Sequence, residues 1–89
     1  MTWRIEFGPG ARKALKHLDP VVVRRILTFL SERIASAEDP RAIGEALRGA
    51  ELGAFWKYRV GDYRIICAIE DAEVKVLVVR IGNRRGAYR

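Results

Sequence analysis

The segment Phe55–Glu70 reads FWKYRVGDYRIICAIE, and its pattern decides the fold that we predict. Aromatic and β-branched residues are frequent on both sides of Gly61-Asp62, which is typical of two strands joined by a two-residue turn. The strands are predicted over Phe55–Val60 and Tyr63–Glu70. A third strand is predicted over Glu73–Ile81, so the three should form an antiparallel meander.

The segment before the meander predicts one strand and two helices. Thr2–Phe7 alternates and reads as a short strand, and a helix is predicted over Ala11–Leu18. Asp19 is a suitable N-cap for a second helix over residues 20–36, where apolar side chains recur at helical spacing. Residues 37–47 read as a surface connection without evident chemistry. The element order predicts an α+β fold in which a helical hairpin covers one face of a sheet.

Length and hydropathy indicate the class of protein. The 89 residues, 49% of them hydrophobic, predict a single domain over residues 1–89. No apolar run approaches the ~20 residues that a membrane-spanning helix needs. The first residues lack the pattern of a secretion signal, because charges interrupt them at once. We therefore expect a cytoplasmic protein without membrane contact.

The inventory of metal-binding side chains is small. Cys67 is the one cysteine and His17 the one histidine, so an internal disulfide is impossible and a zinc site lacks ligands. Apolar neighbours of Cys67 predict a buried, reduced thiol. Neither a metal nor a cofactor is expected.

The charge of the chain points to a polyanionic partner. Seventeen Lys and Arg against eleven Asp and Glu give a formal net charge of +6, which favours nucleic acid. After Ala72 the sequence holds one acid, Glu73, and five basic residues. They are Lys75, Arg80, Arg84, Arg85 and Arg89. The alternative is that these residues form a solvated basic tail.

A cluster of cations is predicted on one face of the meander. If Gly61-Asp62 is the turn, Arg59 lies opposite Arg64, and Lys57 shares their face. Like charges that face each other destabilise a sheet. An anion between them would offset this repulsion, and guanidinium groups suit phosphate. The alternative is that the three side chains point apart into water.

Tyr88 lies beyond the last predicted strand, where no core pattern accounts for it. An exposed aromatic ring among arginines suits stacking on an unpaired RNA base. The alternative is that Tyr88 packs the tail onto the domain.

Together these segments resemble a known family. Leu47–Gly49, Trp56–Ile66 and Val79–Arg85, with Tyr88 near the end, resemble the RelE branch of the RelE/ParE toxin superfamily. The resemblance covers nearly the whole chain and implies a RelE-like fold. It also implies the toxin of a type II toxin-antitoxin system, held by a cognate antitoxin in a hetero-oligomer. Such toxins enter the ribosome and cleave mRNA, with no metal needed for attack by the 2′-hydroxyl.

The resemblance also assigns roles to residues. The catalytic residues implied are Lys57, Arg64, Arg84 and Tyr88, and those expected to bind RNA are Arg48, Arg59, Arg85 and Arg89. Two positions depart from the family pattern. Phe55 stands where some members have a lysine, and Asn83 stands where many have a histidine. A neutral imidazole is a natural proton acceptor, so the general base of this chain is left unidentified.

Two other functions remain open at this point. A ParE-like toxin has the same fold but inhibits DNA gyrase by binding, without catalytic cations. A non-catalytic module would use its basic face only to bind an acidic antitoxin segment. The joint presence of Lys57, Arg64, Arg84 and Tyr88 favours the RelE-type function.

Overall fold

A five-stranded sheet with two helices on one face makes up the described part of the chain. The computed structural model describes residues 2–47 and 55–83. The helices are α1 (Pro9–His17) and α2 (Pro20–Phe29), and the strands are β1 (Arg4–Phe7), β2 (Glu45–Ala46), β3 (Phe55–Val60), β4 (Tyr63–Glu70) and β5 (Lys75–Asn83). The predicted α+β class is confirmed. Neither helix has the length and apolar character needed to cross a membrane.

The strands lie in the order β1-β5-β4-β3-β2. The pair β1–β5 is parallel, and the other three pairs are antiparallel. In the hairpin of β3 and β4, Val60 pairs with Tyr63, which is the predicted register. Gly61 has a φ of 59°, and a glycine at this position suits a two-residue hairpin turn because it adopts positive φ without strain. The predicted meander is therefore confirmed.

The core lies between the sheet and the helices. Its buried residues come from both helices, from the π-helical turn after α2, from β3, β4 and β5, and from Trp3 before β1: Trp3, Ala11, Ile26, Leu30, Ile34, Tyr58, Val60, Ile65, Cys67, Val76, Val78 and Ile81. Cys67 is fully buried, and this burial raises the pKa of its thiol to about 12. The prediction of a buried, reduced cysteine is confirmed. Trp56 and Tyr63 are only partly buried at its edge.

Both helices differ from their predicted limits. Helix α1 begins at Pro9, with Gly8 as its N-cap, because proline is well tolerated in the first turn, where its missing N–H has no partner. Helix α2 begins as predicted, and Asp19 accepts a hydrogen bond from the Val21 N–H at 2.9 Å. It ends at Phe29, and the chain continues as a π-helical turn over Leu30–Ile34.

Strand β5 begins at Lys75 instead of at Glu73. Asp71–Glu73 form a 3-10 turn, and Val74 has a φ of 50°, in the left-handed region that valine rarely adopts. The Val74 carbonyl then accepts a hydrogen bond from the Arg4 N–H, at the start of the parallel pair with β1. The turn therefore sets where β5 enters the sheet.

Besides the pairing of β2 with β3, side-chain hydrogen bonds hold the connection over residues 37–47 to the body. Tyr58 donates a buried hydrogen bond from its hydroxyl to the Pro40 carbonyl at 2.8 Å. Arg41 donates two hydrogen bonds to the Asp71 carboxylate, at 3.1 and 2.5 Å. The second contact holds the pKa of Asp71 below its usual value. These contacts bring the connection to the edge of the sheet, next to β3.

Candidate functional site

The solvent-facing side of β3 and β4 carries three of the predicted site residues. Arg59 lies directly opposite Arg64, and Lys57 lies two residues back on the same face of β3. All three line one open cavity of about 340 Å³. The predicted register and the predicted grouping of these cations are confirmed.

A carboxylate that the sequence analysis missed lines the same cavity. Strand β2 pairs with β3 so that Glu45 lies opposite Lys57, and the Lys57 Nζ lies 3.6 Å from the Glu45 Oε1. The Glu45 side chain is 78% exposed, whereas that of Lys57 is 27% exposed. The connection over residues 37–47, for which the sequence predicts no chemistry, therefore contributes a strand and an acid to the site of the predicted cation cluster.

Gly44 allows β2 to lie so close to β3. A β-carbon at this position would lie 2.7 Å from the Cε1 atom of Tyr58 and 2.8 Å from the Lys57 carbonyl oxygen. Any side chain here would push β2 away from β3. The sequence signal was weak, because a two-residue strand is too short for alternation to be detected.

A β-bulge in β5 places a further cation, Arg80, on this face. Cys67 pairs with Val78, and its neighbour Ile66 pairs with Arg80, so Val79 is an extra residue in β5. Ile81 then takes the inward position and is 7% exposed. Arg80 lies on the solvent face beside Ile66, where regular alternation after Val78 would have directed it into the core. Sequence reasoning missed this placement because alternation does not reveal an inserted residue.

The cations of this face are poorly matched by acids. Lys57 faces Glu45, but Arg59 and Arg80 form no ion pair within residues 2–47 and 55–83. At the other end of the same face, Lys75 lies within 3.6 Å of carboxylates of Glu6, Glu70 and Glu73. Burial alone would lower the pKa of Lys75, but the hydrogen bond to Glu73 and the three carboxylates raise it. Unbalanced positive charge is therefore concentrated near the cavity.

Five predicted site residues lie outside the described residues: Arg48, Arg84, Arg85, Tyr88 and Arg89. Their roles stay predictions. Asn83 is the last residue of β5 and lies opposite Tyr63 at the start of β4. Among the described residues, no group of three or more His, Cys, Asp or Glu is arranged to hold a metal ion.

Sequence comparisons match the chain to toxins of toxin-antitoxin systems. A family model described as "ParE toxin of type II toxin-antitoxin system, parDE" matches residues 5–88. The toxin RelG of Mycobacterium tuberculosis is 28% identical over 89 residues, which cover 100% of this chain and 99% of RelG. The toxin RelE of the same organism is 33% identical over 75 residues, covering 73% of this chain and 76% of that toxin.

Solved structures with a similar fold include toxins bound to antitoxins. The toxin-antitoxin complex RelBE2 of Mycobacterium tuberculosis contains a chain that matches with a TM-score of 0.82 and 26% identity, covering 94% of this chain and 93% of that one. The intact RelBE complex of E. coli contains a chain that matches with a TM-score of 0.71 and 24% identity, covering 91% and 95%. The second likeness concerns the fold alone.

Proposed function

This chain belongs to the ParE toxin family of type II toxin-antitoxin systems, and we propose that it is a RelE-type member that cleaves mRNA on the ribosome without a metal ion. The observation that carries the proposal is the grouping of Lys57, Arg59 and Arg64 around one cavity, on a face with unbalanced positive charge. A protein that acts by binding alone does not need cations arranged around a cavity. The relatives named RelG and RelE support the same branch.

The reaction that suits these residues is an internal transfer of phosphate. The ribose 2′-hydroxyl attacks the neighbouring phosphorus, the bond from phosphorus to the 5′-oxygen breaks, and a 2′,3′-cyclic phosphate and a 5′-hydroxyl are formed. Attack and departure occur on opposite sides of the phosphorus, so the proton acceptor and the proton donor must be different groups. We assign the acceptor role to Glu45, the acid that lines the cavity. Tyr88 is proposed to share in the proton transfer, on the side of the leaving oxygen.

The cations stabilise the charge that develops on the phosphate. Lys57 and Arg64 line the cavity, and Arg84 is proposed to join them. Fixed donors of this kind contribute roughly 3 kcal/mol each to transition-state stabilisation in other enzymes. The remaining arginines of the predicted RNA-binding set are Arg48, Arg59, Arg85 and Arg89, and they would hold the RNA backbone. The ribosome would supply much of the positioning of the substrate.

We also propose that the partner of this chain is an antitoxin and that the chain acts in the cytoplasm. Some of the similar solved structures are toxin-antitoxin complexes, and we propose that a cognate antitoxin binds this chain in a hetero-oligomer. An acidic segment of the antitoxin would suit Arg59 and Arg80, which form no ion pair with the rest of the described chain. Activity on ribosomes places the toxin in the cytoplasm.

Expression of the chain should arrest growth with mRNA cut inside reading frames. The measurement is mapping of 5′ mRNA ends after induction, together with cleavage in purified stalled ribosome complexes. Added divalent-metal chelator should not stop the cleavage, provided that the complexes stay intact, because the proposed reaction uses side chains and the 2′-hydroxyl.

The family description favours a second candidate, a ParE-like inhibitor of DNA gyrase. Arrest with gyrase-dependent DNA breaks and intact mRNA would establish that function and overturn ours. If the chain does not arrest growth in the absence of antitoxin, its function would be that of a non-catalytic module that binds the antitoxin.

Glu45→Gln should slow cleavage by about a hundredfold, which is typical for loss of a general base. The measurement is the single-turnover rate on ribosomes. Folding should be nearly unchanged, since an exposed ion pair contributes little.

Glu38→Gln is the matched control, because Glu38 is also an exposed glutamate and does not line the cavity. It should retain the wild-type rate. A Glu45→Gln variant that cuts mRNA at the wild-type rate would remove Glu45 from the proton transfer.

A further inference from the structure

A second, apolar cavity lies beside the cationic one on the solvent face of the sheet. It has a volume of about 400 Å³, and its lining consists of Leu47, Phe55, Ile66, Val79 and Arg80. Ile66 pairs directly with Lys57 on one side and with Arg80 on the other. Phe55 lies two residues from Lys57 along β3, a distance of about 7 Å. The apolar cavity therefore adjoins the predicted phosphate site.

The fold does not account for this apolar surface. None of Leu47, Phe55, Ile66 and Val79 belongs to the core cluster or to the hydrophobic residues packed against it. They lie on the opposite face of the sheet from both helices. The bulge at Val79 places an arginine at this cavity, and that arginine forms no ion pair within the described residues. An aromatic ring and a guanidinium group thus border one apolar cavity.

We propose that this cavity binds a nucleobase of the RNA strand, next to the phosphate held by Lys57 and Arg64. The proposal rests on the proposed function, because it places the base in the same substrate strand. An unpaired base offers a flat face on which Phe55 stacks and polar edge atoms that accept hydrogen bonds from Arg80. Some members of the family have a lysine at the position of Phe55. In this chain the same position would offer an aromatic ring for stacking in place of a positive charge.

Charge and continuity favour RNA over an apolar protein segment as the occupant. The cavity opens beside Lys57, and its own lining includes Arg80, which forms no ion pair within residues 2–47 and 55–83. The occupant must fill an apolar cavity and carry negative charge next to the cations. A nucleotide does both, because its base is flat and aromatic and its phosphate is anionic. An apolar side chain of a protein would leave the Arg80 guanidinium without a partner.

The test measures binding to a short, labelled, single-stranded RNA that carries a 2′-deoxy sugar at the cleavage position, so that it is not cut. A parallel set of strands lacks one base at each position in turn. For the wild-type chain, one abasic position should weaken binding by about tenfold, the effect of losing one stacked base. Phe55→Leu should bind the intact strand about tenfold more weakly and should no longer distinguish it from that abasic strand. Phe55→Tyr keeps the ring and should behave as the wild-type chain.

Leu77→Ala is the matched control, since Leu77 is an apolar residue of the same sheet face that does not line the cavity. It should leave both affinities unchanged. Equal affinity of the wild-type chain for the intact strand and for every abasic strand would overturn the base site. If this happens while mRNA is still cut on ribosomes, only the base site falls; if mRNA is not cut either, the proposed function falls with it. Weaker binding of purified antitoxin by Phe55→Leu, with RNA binding unchanged, would assign the cavity to the protein partner.

Discussion

If the proposed function is right, an Arg64→Ala variant should cut mRNA on the ribosome at least about a hundredfold more slowly than the wild-type chain, because it would lose a proposed hydrogen-bond donor to the phosphate. Its free energy of unfolding should change by no more than about 0.5 kcal/mol. The change in stability is small because two contributions offset each other. The variant loses the contacts of the Arg64 side chain, but it also loses the repulsion between Arg64 and Arg59, which lie directly opposite each other. Single-turnover cleavage and thermal melting measure the two effects separately.

Arg33→Ala is the control for Arg64→Ala. Arg33 is exposed on the helical segment after α2, away from the cationic cavity, so its loss should leave cleavage and melting unchanged. The same assay applies to Arg84, for which we expect a comparable loss. An Arg64→Ala variant that melts normally and cuts at the wild-type rate would contradict the role of Arg64 in the site.

Ile65→Ala should lower the free energy of unfolding by about 2 to 5 kcal/mol, the usual cost of truncating a fully buried isoleucine. Ile65 is 0% exposed and lies between Tyr58 and Ile81 on the core side of the sheet. Its neighbour Ile66 lies on the solvent face and is only partly buried. Ile66→Ala should therefore cost only about 1 kcal/mol.

Urea denaturation of the two variants compares adjacent positions of one strand that differ mainly in the face they occupy. The Ile65 variant should show the lower midpoint with an unchanged slope. Equal losses for the two variants would contradict the assignment of faces in β4, and with it the placement of Arg64 on the solvent side.

The sequence predicted the central hairpin well because two local signals agreed there. The turn at Gly61-Asp62 defines the register and alternation defines the faces, so the two together predict that Lys57, Arg59 and Arg64 share one face, as the structure has them. Helix limits were less accurate, since prolines and a π-helical turn allow more than one boundary.

Two parts of the site were not predictable from periodicity. Strand β2 has only two residues, and its position depends on a glycine that packs against Tyr58. Arg80 reaches the solvent face through an inserted residue, and whether a strand contains an insertion depends on its partner strand. In both cases the position of a residue depends on how its strand pairs with another strand, which the pattern of a single segment does not show.

The parallel pairing of β1 with β5 affects when this toxin can fold during its synthesis. The first strand of the chain pairs with the last, Arg4 opposite Lys75 through Phe7 opposite Val78. Pairing between such distant segments is intrinsically slow, because a long loop must close first. During synthesis the N-terminal segment emerges first, and β1 has no strand to join until β5 has also left the ribosome. The nascent chain therefore cannot complete the described sheet until β5 has left the ribosome, so we expect the face that carries the cationic cavity to form only after that point.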